Sequence, residues 1–507
     1  MLKRQNAIKI FLLTSFFLLA IWNLKNVSIT LDGCKHLETG LRYIETGSCC
    51  EGTDNTPLTV INSAPAYFLN KYYNVDVSCK EETQPFLYRY LPNRFLVFII
   101  GLPTVLIGLI GGFYAYKFAS ELFDQKVGII ALFFYAFNPN IIAYSTINSQ
   151  DALVSVMSLI AVYYFYLLYK RNTLGSVIIS GLTLGLALSS KLNAALLVIS
   201  YIIIYYLHYL FSKKNISFKH LFFIFLTAYF VLNVIYRFEG TFNPASLYWD
   251  NFKSSLFLKL KNVWPRELPL FFPIGYLKGL DNIIFNNSEG WGNYLFGKYI
   301  PAGSAWYFLM VFLIKTPIPT LILFIIFFFQ KNKKFNETFL FIPLMIFLLF
   351  NFFLNRLALG LRFLLVLYPF IFILNSHTII NIWKSKSILV YALLIWYFIG
   401  TVRYRPHYLA YFNEFTGGPF NGYKYLADSN IDWGQEGFLI EDYIKKAKFQ
   451  IKKNPGCKYT SGIIAINVNS LAGISGNPSQ EDFCYSWIKN FPIIDRVGYT
   501  WFIYKIE

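Results

Sequence analysis

Residues 174–211 read "LGSVIISGLTLGLALSSKLNAALLVISYIIIYYLHYLF", two apolar runs that meet at a single lysine, Lys191. Each run is long enough to cross a hydrocarbon layer of about 30 Å as a helix. The pattern therefore predicts two membrane-spanning helices joined by a short turn. A charged side chain is costly in a bilayer, so a lysine at this turn indicates either the membrane edge or a functional site.

Similar apolar runs recur along most of the chain. Only 14% of the 507 residues are charged and 56% are hydrophobic, whereas about 25% of the residues of a soluble globular protein are charged. Counting the runs that can cross a bilayer gives about eleven spans. They lie at about 8–22, 94–116, 127–145, 152–169, 174–190, 192–211, 220–236, 305–329, 338–354, 361–376 and 388–402. The sequence therefore predicts an α-helical polytopic membrane protein.

Lysine and arginine in the short connections predict the orientation, because cytoplasmic loops retain these residues. Such residues precede the first span and fall in alternate connections, among them Lys3, Arg4, Lys126, Lys170, Lys219 and Lys331. The N-terminus is thus predicted to be cytoplasmic. The loops at about 23–93 and 237–303, and the tail from residue 403, are predicted on the extracytoplasmic side of the inner (plasma) membrane. The net charge of +18 largely reflects this bias and requires no nucleic-acid partner.

The chain divides into a predicted membrane domain, residues 1–402, and a small extracytoplasmic α/β domain, residues 403–507. The tail contains short alternating runs, "SGIIAINVN" and "YTWFIYKI", and a helix-like stretch, "EGFLIEDYIKKAKF". Its phrase "DSNIDWGQ" places Asp428 and Asp432 near the point where the tail leaves the membrane. For these two residues the sequence favours a structural turn over contact with a site.

All six cysteines fall in the segments predicted to be extracytoplasmic. This distribution indicates disulfides formed in an oxidising compartment. Cys457 with Cys484 is the simplest pair. Among the first four cysteines three pairings are possible; these are Cys34, Cys49, Cys50 and Cys79. We find no P-loop, no dinucleotide glycine pattern and no Cys/His spacing typical of a metal site.

The unusual ionisable residues collect at one predicted face of the membrane. They are Asp32, Asp54, Asp151, Lys191, Arg356 and Arg362. Carboxylates can take a proton from an attacking hydroxyl, and arginine and lysine bind phosphate. Together they suit chemistry on a phosphate-bearing lipid. Singly, each acid could instead cap a helix, and each cation could extend to the lipid head groups.

Lys315, in "AWYFLMVFLIKTPIPTLILFIIFFFQ", admits two geometries. If one helix begins near Ala305, the lysine lies deep in the membrane. If Ala305 to Leu313 lies flat and the span begins near Lys315, the lysine joins the other ionisable residues. The short apolar stretch after Pro317 favours the second geometry.

Eight phrases, in chain order, resemble the polytopic GT-C glycosyltransferases, in particular the bacterial branch related to protein O-mannosyltransferases and lipid A aminoarabinose transferases. Asp32 followed by "HLETGLRYIETG" is similar to an acidic residue and a "Y-x-x-x-G" phrase of that family, and "DNTPL" resembles its "E-H-P-P-L". "NPNIIAYSTINSQDALVS" and "SGLTLGLALSSKLNAALL" resemble its approach to a second Asp and to a Lys. The other similar phrases are "YRFEGTF", "GSAWYFLMVFLIKTPIP", "LGLRFLLVLYPF" and "PHYLAYFNEFTGGPFNGYKYLADSNIDWGQE".

The resemblance implies a role for each matching residue. Asp32 would be the catalytic carboxylate near the acceptor hydroxyl, and Asp151 a second acidic residue of the site. Asp54 occupies a position that contributes to a divalent-metal site in some relatives. The residues implied to bind the donor's phosphate are Lys191, Lys315 and Arg362. The chain departs from the family at Gly33, where most relatives have Glu, and at Asn55 and Thr56 in the loop motif, so the resemblance leaves the metal open.

The activity implied by the resemblance is transfer of a hexosyl or pentosyl group from a polyprenyl-phosphate-linked donor to a protein, lipid or glycan acceptor. The reaction would be a single displacement with inversion at the anomeric carbon, so no glycosyl-enzyme intermediate is expected. Two alternatives from other classes stand beside it. The chain could be a transporter or flippase of lipid-linked substrates, or a catalytically inactive binding protein of the same fold.

Overall fold

The computed structural model describes residues 2–48, 55–82, 88–212, 216–301, 303–330, 335–383, 385–474 and 485–507. Within them the helices are α1 (Leu2–Asn26), α2 (Leu31–Thr46), α3 (Val60–Tyr73), α4 (Arg94–Leu122), α5 (Gln125–Ala136), α6 (Pro139–Tyr144), α7 (Asp151–Arg171), α8 (Leu174–Ser190), α9 (Leu196–Phe211), α10 (Phe218–Ile235), α11 (Ser255–Val263), α12 (Ile274–Glu289), α13 (Tyr307–Lys315), α14 (Ile318–Phe328), α15 (Thr338–Leu349), α16 (Leu367–Trp383), α17 (Ser387–Val402), α18 (Pro419–Gly422), α19 (Gly437–Lys446) and α20 (Val468–Leu471). The strands are β1 (Lys80–Glu82), β2 (Tyr88–Tyr90), β3 (Asn293–Leu295), β4 (Lys298–Ile300), β5 (Ile451–Lys453), β6 (Gly462–Asn467), β7 (Ile493–Val497) and β8 (Trp501–Ile506).

The helices confirm the predicted multi-pass α-helical membrane protein. In the part of the chain that the structure describes, six helical segments are long and apolar enough to cross a membrane, or seven if the bent pair α13 and α14 forms one span. Shorter apolar helices, among them α5, α8 and α17, account for further predicted spans. Every predicted span coincides with one helix or with two consecutive helical segments.

Two predicted spans are interrupted. The span at 127–145 breaks between α5 and α6, where the Asn138 side chain accepts a hydrogen bond from the Ile141 amide (3.0 Å) and Pro139 begins a new helix. The span at 305–329 bends by 112° between α13 and α14. Proline removes a backbone donor and clashes with the preceding turn, so Pro317 ends α13 here. Lys315 therefore lies at the bend and not in the middle of one long helix.

Helix α7 lies at the centre of the bundle. It is buried along most of its length and packs against α4 and α8. Helix α8 in turn packs closely against α10 through Gly181 and Gly185. A Cβ atom added at Gly185 would lie 2.6 Å from the Cβ of Val231. The spacing of these two glycines is the small-residue pattern that lets membrane helices approach closely.

We expect Gly185→Leu to destabilise the protein, because the added side chain would push α8 away from α10. Overpacking of this kind costs about 1 to 3 kcal/mol of unfolding free energy. Gly175→Leu, on the same helix, is the matched control because an added Cβ there meets nothing within 4 Å. The measurement is thermal unfolding in detergent. Equal melting temperatures for the two variants would contradict close packing of α8 on α10.

The loop predicted at about 23–93 and the tail meet at the same end of the bundle. The Ser28 amide donates to the Gln435 carbonyl oxygen (2.8 Å) and the Leu31 amide to the Trp433 carbonyl oxygen (2.9 Å). A disulfide joins Cys34 of α2 to Cys79, beside β1; this is one of the pairings that the sequence left open. Cys457 is also disulfide-bonded, whereas Cys49, Cys50 and Cys484 lie outside the described residues.

The C-terminal sheet confirms the small α/β unit in the tail. Its strand order is β5-β6-β8-β7, parallel between β5 and β6 and antiparallel elsewhere. Helix α19 packs on one face, where Ile440 meets Ala465 and Ile503 in a buried cluster. The chain between α17 and α19 does not belong to this sheet unit. Its residues 408–435 pack against the membrane helices and the start of α2.

Candidate active site

Asp32 lies in the first turn of α2, immediately after the first membrane helix. The helix begins here because the Thr30 hydroxyl accepts a hydrogen bond from the Gly33 amide (3.2 Å). The positive end of the helix dipole stabilises a carboxylate in this turn. The Asp32 side chain remains 29% exposed, so an incoming group can reach it.

Arg362 is the closer of two ion-pair partners of Asp32; the other is Lys35, whose Nζ lies 3.9 Å from Asp32 Oδ1. Its Nη1 donates to Asp32 Oδ2 at 2.7 Å, and its Nε donates to the carbonyl oxygen of Leu359 at 3.1 Å. Burial is the largest single influence and raises the pKa of Asp32. The charges of Arg362, His36 and Lys35, together with the hydrogen bond from Arg362, outweigh burial, so the pKa lies below its ordinary value. Asp32 is therefore ionised at neutral pH.

A second ion pair joins Asp151 and Lys191. Asp151 is the first residue of α7, and Lys191 follows the last residue of α8. The Lys191 Nζ lies 2.5 Å from Asp151 Oδ1, and the two side chains are 13% and 2% exposed. A buried charge requires a partner, so this pair places both groups more firmly than a helix cap or a lysine extended to lipid would.

The two ion pairs are neighbours. Lys191 Nζ lies 4.6 Å from the ring centre of Phe363, the residue after Arg362, and Arg362 interacts electrostatically with Asp151 as well as with Asp32. The structure therefore brings together four of the residues that the sequence singled out, two acids and two cations.

Tyr144 was not anticipated from the sequence. Its side chain is 1% exposed, and its hydroxyl has no hydrogen-bond partner among the described residues. It interacts electrostatically with Asp151 and Arg362. An unpaired buried hydroxyl costs free energy, so its presence beside the two ion pairs is typical of a site that holds a polar ligand.

Lys315 contacts the tail and not the two ion pairs. Its Nζ donates to the carbonyl oxygens of Leu409 (2.8 Å) and Asn430 (2.5 Å) and lies 4.4 Å from the ring centre of Phe412. The side chain is 1% exposed. These contacts attach the bend between α13 and α14 to the tail. The structure thus does not bring Lys315 together with the two carboxylates.

Asp54, the implied metal ligand, lies outside the described residues. The segment that follows it packs against the site, because the Thr56 hydroxyl donates to the carbonyl oxygen of Ser190 (3.3 Å), next to Lys191. Among the residues that the structure describes, no group of three or more His, Cys, Asp or Glu side chains is placed to hold a metal ion. The described residues therefore supply no ligand set for the metal.

The tail contributes Asn430 and Trp433, which were not singled out from the sequence. They lie beside Asp428 and Asp432, the two residues predicted to form a structural turn. The Asn430 side chain accepts a hydrogen bond from the Leu361 amide (3.0 Å), and the Trp433 ring centre lies 4.7 Å from Arg362 Cζ. The dense polar phrase "DSNIDWGQ" was the signal that could have identified them.

Sequence comparison relates one part of the chain to a known family. Residues 94–236 match the sequence model of the dolichyl-phosphate-mannose-protein mannosyltransferases. This region contains α4 to α10 and includes Asp151 and Lys191. No curated protein matches the chain in sequence.

Structural comparison shows the fold. The oligosaccharyltransferase of Archaeoglobus fulgidus in the apo form has a TM-score of 0.51 at 12% identity, over 78% of this chain and 55% of that one. The same organism's AglB with an inhibitory peptide and a dolichol-phosphate has a TM-score of 0.50 at 13% identity, over 79% and 55%. This chain thus spans little more than half the length of that protein. ArnT from Cupriavidus metallidurans bound to undecaprenyl phosphate matches over 98% and 97%, at 10% identity and a TM-score of 0.49. The two oligosaccharyltransferase matches show that this chain has the GT-C fold, and residues 94–236 relate it by sequence to the dolichyl-phosphate-mannose-protein mannosyltransferases.

Proposed function

We propose that this chain transfers a sugar from a polyprenyl-phosphate-linked donor to an acceptor hydroxyl. The observation that carries the proposal is the pair of adjacent ion pairs, Asp32 with Arg362 and Asp151 with Lys191. They combine a partly exposed carboxylate with two cations at one end of the membrane bundle. Sugar transfer from a lipid phosphate needs a proton acceptor for the incoming hydroxyl and positive charge for the leaving phosphate.

The comparisons support this substrate class. The matching family is described by a dolichyl-phosphate-linked mannose donor, and the archaeal oligosaccharyltransferase of the same fold was captured with a dolichol-phosphate and a peptide. We carry the lipid phosphate over to this chain because its cations lie where such a head group would leave the membrane. Analysis of the reaction product identifies the transferred sugar as a hexose or a pentose and the acceptor as a protein, a lipid or a glycan.

Asp32 is proposed as the proton acceptor. It is ionised at neutral pH and lies within the first outer loop, where an acceptor from solution can approach. As the acceptor oxygen attacks the anomeric carbon, its proton becomes acidic and passes to the Asp32 carboxylate. The hydrogen bond from Arg362 (2.7 Å) orients that carboxylate during the transfer.

Arg362 and Lys191 are proposed to stabilise the leaving group. The bond between the acceptor oxygen and the anomeric carbon forms while the bond between that carbon and the phosphate oxygen breaks. The electron pair of the broken bond stays on the polyprenyl phosphate. Because both cations are already held by carboxylates, little reorganisation is needed when this negative charge develops. A single displacement of this kind inverts the anomeric configuration.

The site is proposed to face the extracytoplasmic side. It lies where the first outer loop meets the tail, and the distribution of lysine and arginine predicts both of these on that side of the plasma membrane. We further propose that residues 1–402 form the membrane glycosyltransferase domain and residues 403–507 an extracytoplasmic domain that completes the site. Lys315 and Asp54 remain candidates for the phosphate and for a metal ion, respectively.

The proposal predicts covalent sugar transfer by the purified protein. Reconstituted into liposomes with radiolabelled polyprenyl-phosphate sugars and an envelope extract, it should move label into an acceptor with inverted anomeric configuration, as read by mass spectrometry and NMR. Liposomes containing the Asp32→Asn variant are the control. Label that crosses the bilayer still attached to its lipid would identify a transporter, and label that only binds would identify an inactive protein; either result would reject the proposal.

A further inference from the structure

The tail segment 428–435 contacts both the loop that carries Arg362 and the start of α2, which carries Asp32. On one side, Ser429 Oγ donates to the carbonyl oxygen of Leu359 at 2.9 Å, and Asn430 Oδ1 accepts from the Leu361 amide at 3.0 Å. The fit is close, because a Cβ atom added at Gly360 would lie 2.9 Å from each of these two side chains. The tail therefore determines the path of the loop that carries Arg362.

Trp433 contacts Arg362 and the residue that precedes Asp32. Its ring centre lies 4.7 Å from Arg362 Cζ, and its carbonyl oxygen accepts a hydrogen bond from the Leu31 amide (2.9 Å), one residue before Asp32. The side chain is 3% exposed. A guanidinium held over a buried indole gains stabilisation that increases as water is removed. Trp433 thus fixes the guanidinium while its backbone fixes the start of α2.

Asp428 adds a third carboxylate near Arg362. Its backbone φ is +59°, in the left-handed region that Asp and Asn tolerate better than most residues. The Asp428 amide donates to the side-chain oxygen of Asn469 (2.8 Å), which belongs to α20 of the C-terminal domain. Burial raises the pKa of the Asp428 carboxyl, the positive charge of Arg362 opposes that rise, and the negative charge of Asp32 adds to it. The C-terminal domain therefore supports the backbone conformation in which the Asp428 carboxylate interacts electrostatically with the guanidinium.

We propose that Trp433 is a positioning residue for Arg362 and that Asp428 competes with the donor's phosphate for the same guanidinium. The inference rests on the proposed function, in which Arg362 binds that phosphate. Trp433 strengthens phosphate binding because it holds the guanidinium in the site. Asp428 weakens it because its charge opposes a second anion. The tail thereby sets how tightly the site holds the lipid phosphate.

Substitutions of Trp433 and of Asp428 should change the affinity for undecaprenyl phosphate in opposite directions. Loss of the cation–π contact in Trp433→Leu should weaken binding by between about 2-fold and about 30-fold, and Trp433→Phe, which keeps a ring, should fall between that variant and the wild type. Asp428→Asn keeps the backbone conformation and removes the charge, so binding should become at least about 2-fold tighter. Binding is measured with the full chain in nanodiscs, and thermal unfolding verifies that each variant is folded.

Weaker binding in both Trp433→Leu and Asp428→Asn would overturn the inference, because a segment with only a structural role weakens the site whichever residue is changed. Unchanged affinity in both variants would overturn it as well. A wild-type protein that binds undecaprenyl phosphate but transfers no sugar would reject the proposed function, while the opposite signs of the two variants would still support the inference. A wild type that does not bind undecaprenyl phosphate would reject both.

Discussion

Replacing Asp32 with Asn should lower kcat by about 100-fold to 10,000-fold, the usual contribution of a positioned proton acceptor. The variant retains the shape of the side chain but removes the charge that takes the proton. Binding of undecaprenyl phosphate should be retained or become tighter, because Arg362 then loses its carboxylate partner. Single-turnover rates and equilibrium binding, measured separately, distinguish these two effects.

Asp250→Asn is the matched control for this experiment. Asp250 is also paired with a cation, Lys261 (2.6 Å), but its side chain is 86% exposed, and it lies within the loop predicted at about residues 237–303. Its substitution should leave kcat unchanged. An Asp32→Asn enzyme with the wild-type rate would show that another group accepts the proton.

Replacing Lys191 with Met should destabilise the folded protein by about 3 to 5 kcal/mol, the cost of leaving one member of a buried ion pair without its partner. The carboxylate of Asp151 is 2% exposed, so it cannot regain solvation in place of the lost ammonium. The double variant Lys191→Met with Asp151→Asn should recover part of this loss, because it leaves no unpaired charge. Unfolding free energies from denaturant titration in detergent measure both effects.

The exposed ion pair of Asp250 and Lys261 is the control for this experiment as well. Lys261→Met breaks an ion pair of similar geometry whose acid is exposed to solvent, and no measurable change in unfolding free energy is expected. If Lys191→Met and Lys261→Met were equally harmless, the Asp151 and Lys191 pair would not be a buried interaction. Failure of the double variant to recover any stability would instead show that the lysine acts through packing on Phe363.

The membrane architecture could be predicted from the sequence because each span is a continuous apolar run whose backbone hydrogen bonds are local. The interruption at Pro139 was harder to predict, because α5 and α6 are apolar on both sides of the break, whereas the short apolar stretch after Pro317 had already favoured a break near Lys315. The resemblance of ordered phrases selected Asp32, Asp151, Lys191 and Arg362, and the structure places these four side chains in two adjacent ion pairs.

Long-range contacts could not be predicted in the same way. Lys315 belongs to an apolar run and looks like a membrane lysine, yet its partners are carbonyl oxygens 94 and 115 residues later in the chain. Asn430 meets Leu361 over a separation of 69 residues. A local hydrophobic periodicity does not predict contacts between residues so far apart in the chain. The phrase "DSNIDWGQ" showed an unusual density of polar residues but not what those residues would contact.

The burial of Lys315 under the tail has a consequence for recombination between relatives. A chain divided after residue 402 would separate the ammonium from both of its acceptors, and Arg362 from Trp433. Exchanging tails at that boundary would therefore give hybrids in which these contacts join residues of two different parents. The change in hydropathy at residue 402 makes it look like a suitable boundary, but the contacts cross it. A crossover placed after Gln435 would keep these contacts within one parent, and hybrids of that design should fold more often.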